Sequence, residues 1–120
     1  MNTINLGRAG EEAALEWLQE HGMTLLARNW RSGHYELDLV MESGDTTRIV
    51  EVKSLRDSDG FDPTANMTAE KCRRLVRAAR LFLAENPSGK EIFFDVVSVL
   101  FRDGRPQITY IPSAFLPINL

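Results

Sequence analysis

One cysteine, Cys72, is all that 120 residues contain, which excludes an internal disulfide framework and a multi-cysteine zinc site and fits a reducing compartment. No stretch approaches the ~20 consecutive apolar residues of a membrane span. The first ten residues carry no apolar core behind a basic start. A cytoplasmic chain with no membrane partner is therefore expected. Positive charge is in short supply too: 14 Lys and Arg against 17 Asp and Glu leave a net charge of −3. Proteins that coat nucleic acid by bulk electrostatics are strongly basic, so any nucleic-acid contact here must be local. Low-complexity segments and internal repeats are also missing. With 43% hydrophobic residues the chain can bury a real core, and its length suits one compact domain over residues 1–120 rather than two.

The apolar residues that are present recur with clear periods. Between Asn5 and His21, Leu6, Ala13, Ala14, Trp17 and Leu18 fall at helical spacing, with Glu12, Glu16 and Glu20 four apart on another side. Gly22 closes that amphipathic helix. Leu25 to Trp30, bracketed by Gly22 and Gly33, reads as a first strand. Tyr35 to Glu42 and Thr47 to Lys53 alternate, and Gly44-Asp45 between them suits a two-residue type II′ turn, so a hairpin is expected. Leu55 to Asn66 reads as a mobile loop. Thr68, as N-cap, opens a second helix to Glu85 with Cys72, Leu75, Val76, Ala79, Phe82 and Leu83 on one stripe, stopped by Asn86-Pro87. Ile92 to Phe101 and Gln107 to Ile111, joined at Asp103-Gly104, make a second strand pair before a short apolar tail. This order describes a mixed α/β domain, a central sheet flanked by helices.

The chemistry concentrates on the first hairpin. Strand alternation puts Glu36, Asp38 and Val40 on one face of its first strand, and Ile49, Glu51 and Lys53 on one face of its second. Leu37, Leu39, Val50 and Val52 make the opposite faces apolar. A two-residue turn at Gly44-Asp45 sets Asp38 opposite Glu51 and Glu36 opposite Lys53. Two facing carboxylates repel unless a cation lies between them. Oxygen-only ligation suits Mg²⁺ or Mn²⁺, which take one or two carboxylates together with waters and phosphate oxygens. Lys53, one step along that face, would orient the attacking water or stabilise transition-state charge. The same spacing also fits an ordinary Glu36–Lys53 ion pair on a solvated strand face, with Asp38 and Glu51 merely exposed.

Asp38 followed on the next strand by Glu51-Val52-Lys53 resembles the PD-(D/E)xK signature of restriction-endonuclease-like nucleases. Beyond it, five segments in this order look like the YraN family of bacterial proteins: Gly7-Arg8-Ala9-Gly10-Glu11-Glu12-Ala13-Ala14, Leu26-Ala27-Arg28-Asn29-Trp30-Arg31, Glu36-Leu37-Asp38-Leu39-Val40, Val50-Glu51-Val52-Lys53 and Phe94-Asp95-Val96-Val97. The resemblance spans nearly the whole chain. It implies a restriction-endonuclease-like three-layer α/β domain, similar to archaeal Holliday junction resolvases, and an endonuclease role. On matching positions Asp38 and Glu51 would be metal ligands, the Val52 carbonyl a further ligand, and Lys53 the catalytic lysine. A helix glutamate often completes such sites. Glu11 lies at the margin of the apolar stripe and Glu12 points nearly away from it, which makes Glu11 the choice, although both also suit a helix's first turns through the macrodipole. The chain departs from the pattern in having no proline before Asp38 and in placing Arg56 one position beyond the arginine of many relatives, which leaves a phosphate-binding role for Arg56 open.

Arg73, Arg77 and Arg80, with Lys71 and Arg74, form a basic cluster on the second helix, a candidate nucleic-acid contact or an ordinary solvated face. His34, beside the proposed site, and His21, at a helix end, are given no catalytic role. Cys72, Trp17 and Trp30 are assigned to the core. The leading functional expectation is Mg²⁺-dependent hydrolysis of DNA phosphodiesters, including at branched structures, with a homodimer expected only by analogy with junction substrates. The alternative is a non-catalytic nucleic-acid-binding or partner-recruiting module that keeps the nuclease fold.

Overall fold

A computed structural model describes residues 2–57 and 67–118. Its elements are α1 (Thr3–Glu20), β1 (Thr24–Ser32), β2 (Tyr35–Ser43), β3 (Thr46–Arg56), α2 (Ala69–Glu85), β4 (Glu91–Arg102) and β5 (Arg105–Phe115). The five strands form one sheet in the order β1-β2-β3-β4-β5. All neighbours are antiparallel except β3 and β4, whose parallel pairing requires a crossover that α2 supplies. Most of the loop expected over 55–66 lies outside the described residues; Leu55 and Arg56 belong to β3.

The turns follow their residues. Ser43 pairs with Thr46, so Gly44-Asp45 is the whole hairpin loop, and Gly44 takes φ +57° as the first position of a type II′ turn demands. Thr68 caps α2 by accepting from Lys71 N–H at 3.2 Å, and α2 stops before Asn86.

The sheet separates two apolar clusters. On one face Ala14, Leu15 and Leu18 of α1 pack on Leu39, Met41, Val50, Val97 and Val99. On the other, Leu75, Val76, Ala78, Ala79 and Phe82 of α2 pack on Leu37, Val40, Ile49 and Phe94, with Trp30 edge-on to Phe82. A three-layer α/β sandwich results, and β4 is buried without a break from Phe94 to Leu100 because both of its faces are covered. Cys72 is a buried member of the α2 stripe. At Gly10, α1 comes so close to β3 that an added Cβ would collide with Ser54 Oγ and lie 2.8 Å from Ser54 Cβ, which no rotamer change of Ser54 relieves.

One expectation needs correcting. Leu37 and Leu39, two apart, do not share a face: Leu39 lies under α1, whereas Leu37 joins Val40 under α2. Strand β2 changes faces at Asp38.

Two strands across the sheet, opposite Val50 of β3, buried Asp95 on β4 is fully engaged. Its Oδ2 accepts from Tyr110 Oη at 2.6 Å, and its Oδ1 accepts from Ser113 N–H at 2.8 Å and from Arg48 at 3.2 Å. It ties β3, β4 and the irregular end of β5 together, and burial followed by the Asp95 hydrogen bond pushes the Tyr110 phenol well above its ordinary value. Removing one partner of a buried charged set leaves the others desolvated and unpaired. Asp95→Ala is therefore expected to lower unfolding free energy by about 3–5 kcal/mol in urea denaturation; a loss under about 1 kcal/mol would contradict this role.

Candidate active site

The β2–β3 ladder runs with the expected register from Ser43↔Thr46 to Leu39↔Val50 and ends there. Beyond it β2 continues beside β1 only, and β3 beside β4 only, with Glu51↔Val96 and Lys53↔Ser98 as partners. Asp38 and Glu51 thus stand one step past the last pair, on strands that have parted. The Val52 N–H is met by a side chain: Asp38 Oδ2 accepts from it at 2.9 Å. Through that bond Asp38 is held to β3 by its carboxylate.

The parted strands open into a cleft of about 220 Å³ lined by Asp38, Glu51, Glu36, His34, Tyr35 and Lys71, among others. Burial first, and the Glu51 charge second, push Asp38 up to about 7, with Glu11 and Glu36 adding smaller contributions against the opposing Val52 hydrogen bond. The site is short of positive charge at Asp38. It has more on the α2 side, where Lys71 Nζ lies 3.4 Å from Glu51 Oε1 and adjoins the Lys53 amine. Burial and the adjoining Lys71 pull Lys53 down to about 8. Burial pulls Lys71 down as well, but the hydrogen bond with Lys53 and the Glu51 charge outweigh it and hold Lys71 above the ordinary lysine value. Of the two, Lys53 is the lysine that gives up its proton more readily.

The other expected residues fall as follows. Glu36 does not pair with Lys53; it lies at the cleft and binds Arg31 at 3.1 Å, because β2 no longer runs beside β3 at that level. Glu12 is turned to Arg28 of β1 at 3.3 Å, whereas partly buried Glu11 is the α1 glutamate whose charge reaches Asp38. Arg56 sits near the end of β3, where alternation from Val50 and Val52 puts it on the α1 side, and it does not line the cleft. Arg73, Arg77 and Arg80 are exposed, lie together around a hollow of about 120 Å³ beside Pro117, and have no ion-pair partner among the described residues. Arg74 is a wall of the cleft: it donates to the His34 carbonyl at 3.0 Å and lies over the Tyr35 ring. Lys71 is the residue that sequence reasoning left among the surface cations. Its place four residues before Leu75 and next to Cys72, at the edge of the buried stripe, was the available signal.

Among the described residues no three His, Cys, Asp or Glu side chains converge as a metal cage. Two carboxylates at a polar cleft, one with Oδ2 already engaged, are a poor fit for Zn²⁺ and a reasonable one for Mg²⁺ or Mn²⁺, which retain waters.

Two helical layers about a mixed sheet, with acidic residues where two central strands part, define a restriction-endonuclease-like domain. Within that class the chain belongs to the uncharacterised protein family UPF0102, the YraN family, whose profile matches residues 10–99. It is 38% identical over 112 residues to a UPF0102 protein of Bacteroides fragilis, covering 93% of each chain. It is 43% identical over 112 residues to one of Nocardia farcinica (92% of this chain, 88% of the relative), and 41% identical over 111 residues to one of Syntrophomonas wolfei (92% and 96%).

Because Asp38 is held up to about 7 in the folded chain, it binds a proton between pH 3.8 and 7 that the unfolded chain has released. The sign is opposite to that of a salt-bridged aspartate: stability contributed by neutral Asp38 is present below that window and lost as pH rises through it. In chelator-treated protein, unfolding free energy is expected to fall more steeply from pH 4 to 7 in the wild type than in Asp38→Asn, and the variant is expected to be the more stable at pH 8. Parallel pH profiles for the two proteins would contradict the assignment.

Proposed function

We propose that this protein is a metal-dependent nuclease that hydrolyses DNA phosphodiesters at the Asp38–Glu51 cleft. The observation that carries the reading is the pair of carboxylates, Asp38 and Glu51, lining one cleft where β2 and β3 part, with Lys71 on its α2 wall and Lys53 beside Lys71. A structural ion pair between Glu51 and Lys71 has no need of a second acid, Asp38, beside it without a cation, whereas a phosphate site that binds a divalent cation does. Asp38, through Oδ1, Glu51 and the Val52 carbonyl would hold Mg²⁺ or Mn²⁺, which when bound supplies Lewis acidity and a water of lowered pKa. Lys53, in the fraction that has given up its proton, accepts a proton from the water whose oxygen attacks phosphorus; the P–O bond on the far side breaks and the departing oxygen takes a proton from solvent. Lys71 holds the phosphate in line, and Glu11 adds negative charge beside Asp38 from the α1 side. The exposed arginines on α2, Arg73, Arg77 and Arg80, offer a backbone-binding ridge leading away from the cleft. Phosphate contacts from such a ridge follow nucleic-acid shape, branched DNA included, and carry no base sequence information directly.

Linear duplex, single-stranded and four-way-junction DNA incubated with Mg²⁺ or Mn²⁺ tests this reading. Cleavage is expected for the wild type, falling by about 10²–10⁴-fold in Lys53→Ala and at least as far in Asp38→Ala. Cleavage that survives in both variants would place the chemistry elsewhere. DNA binding without cleavage, unaffected by either substitution, would favour a non-catalytic binding module.

A further inference from the structure

The face change of β2 at Asp38 has a counterpart on β1. Asn29 has φ +50° in the middle of that strand, a left-handed conformation that few non-glycine residues other than asparagine and aspartate adopt. It is not a turn. Pairing continues on both sides, Arg28 with Leu39 and Trp30 with Leu37, and between Ala27 and Ser32 it lapses only where Asn29 stands opposite Asp38. Both strands switch faces there: Ala27 and Trp30, three apart, pack against the α2-side cluster to which Val40 and Leu37, also three apart, belong. Regular alternation would put residues three apart on opposite faces.

Asp38 is therefore unpaired by backbone on both flanks, since the β2–β3 ladder also stops at Leu39. Its position depends on its neighbour's conformation and on its own bond to Val52 N–H. Asn29 itself is exposed, and its side chain makes no hydrogen bond with any described residue. What the position requires is a backbone that tolerates positive φ.

We propose that Asn29 is a positioning residue for the active site: its left-handed backbone turns β1 and β2 over together and so sets the Asp38 carboxylate against Val52 and into the cleft. The inference rests on the nuclease reading only for its metal-binding readout.

Asn29→Gly, which keeps the conformation without the side chain, and Asn29→Val, which resists it, separate this role from a side-chain role. In metal-free full-length protein, Val52 amide hydrogen exchange is expected to stay within about twofold of wild type in Asn29→Gly and to accelerate about tenfold in Asn29→Val, with α1 and β4 amides still protected. Mn²⁺ affinity measured by calorimetry is expected to follow the same order, unchanged for glycine and about tenfold weaker for valine. Unchanged Val52 exchange in Asn29→Val, or an equal disturbance in Asn29→Gly, overturns the proposal. Should Asn29→Val not fold, Asn29→Ala is read against Asn29→Gly by the same criteria. If the wild type binds no Mn²⁺, the metal reading fails while Val52 exchange still decides the role of Asn29.

Discussion

The hydrogen bond from Val52 N–H to the Asp38 carboxylate holds the rest of the site in register. It replaces a backbone bond at the level where β2 and β3 separate, and separation is what makes room for a cleft in a sheet that is otherwise closed and covered on both sides. A continuous ladder would hold Asp38 and Glu51 as a repelling cross-strand pair with no space between them for a cation and its waters. Parting exposes both acids to side chains from both helical layers, Lys71 from α2 and Glu11 from α1. The buried β4 strand and the Asp95 network, which reaches β3 at Arg48, three residues before Glu51, give the parted strands a rigid support.

The electrostatics follow from that geometry. Burial and the Glu51 charge make Asp38 harder to ionise than an ordinary aspartate, and burial and Lys71 make Lys53 easier to deprotonate than an ordinary lysine. Opposed shifts in a neighbouring acid and base are a recurring mark of functional sites, because a purely structural pair of Asp and Lys at such positions would neutralise each other directly. Here the neutralising contact is made between Glu51 and Lys71 instead, a pair that spans the sheet and α2.

Much of this was legible in the chain. The two helices, the Gly44-Asp45 turn and the register it sets came from local patterns, because a two-residue hairpin admits one register and an amphipathic stripe one buried face. The three residues Asp38, Glu51 and Lys53 came from spacing and family resemblance. Three features did not. The end of the ladder at Leu39↔Val50 depends on β1 and β4 drawing β2 and β3 apart, a competition between non-local partners. The face change at Asp38 depends on the positive φ of Asn29, which looks in sequence like one more polar strand residue. Lys71 looked like a member of a solvated cluster because only the packing of α2 over the open end of the sheet shows that, of five cations, Lys71 and Arg74 line the cleft.

The central claim is that the parted strands form a cation site between Asp38 and Glu51, and anomalous diffraction from crystals soaked in Mn²⁺ tests it most directly. The account predicts one peak bounded by the free Asp38 oxygen and the Glu51 carboxylate, with Lys71 displaced from Glu51. A map without that peak, in which Lys71 still binds Glu51, would contradict it.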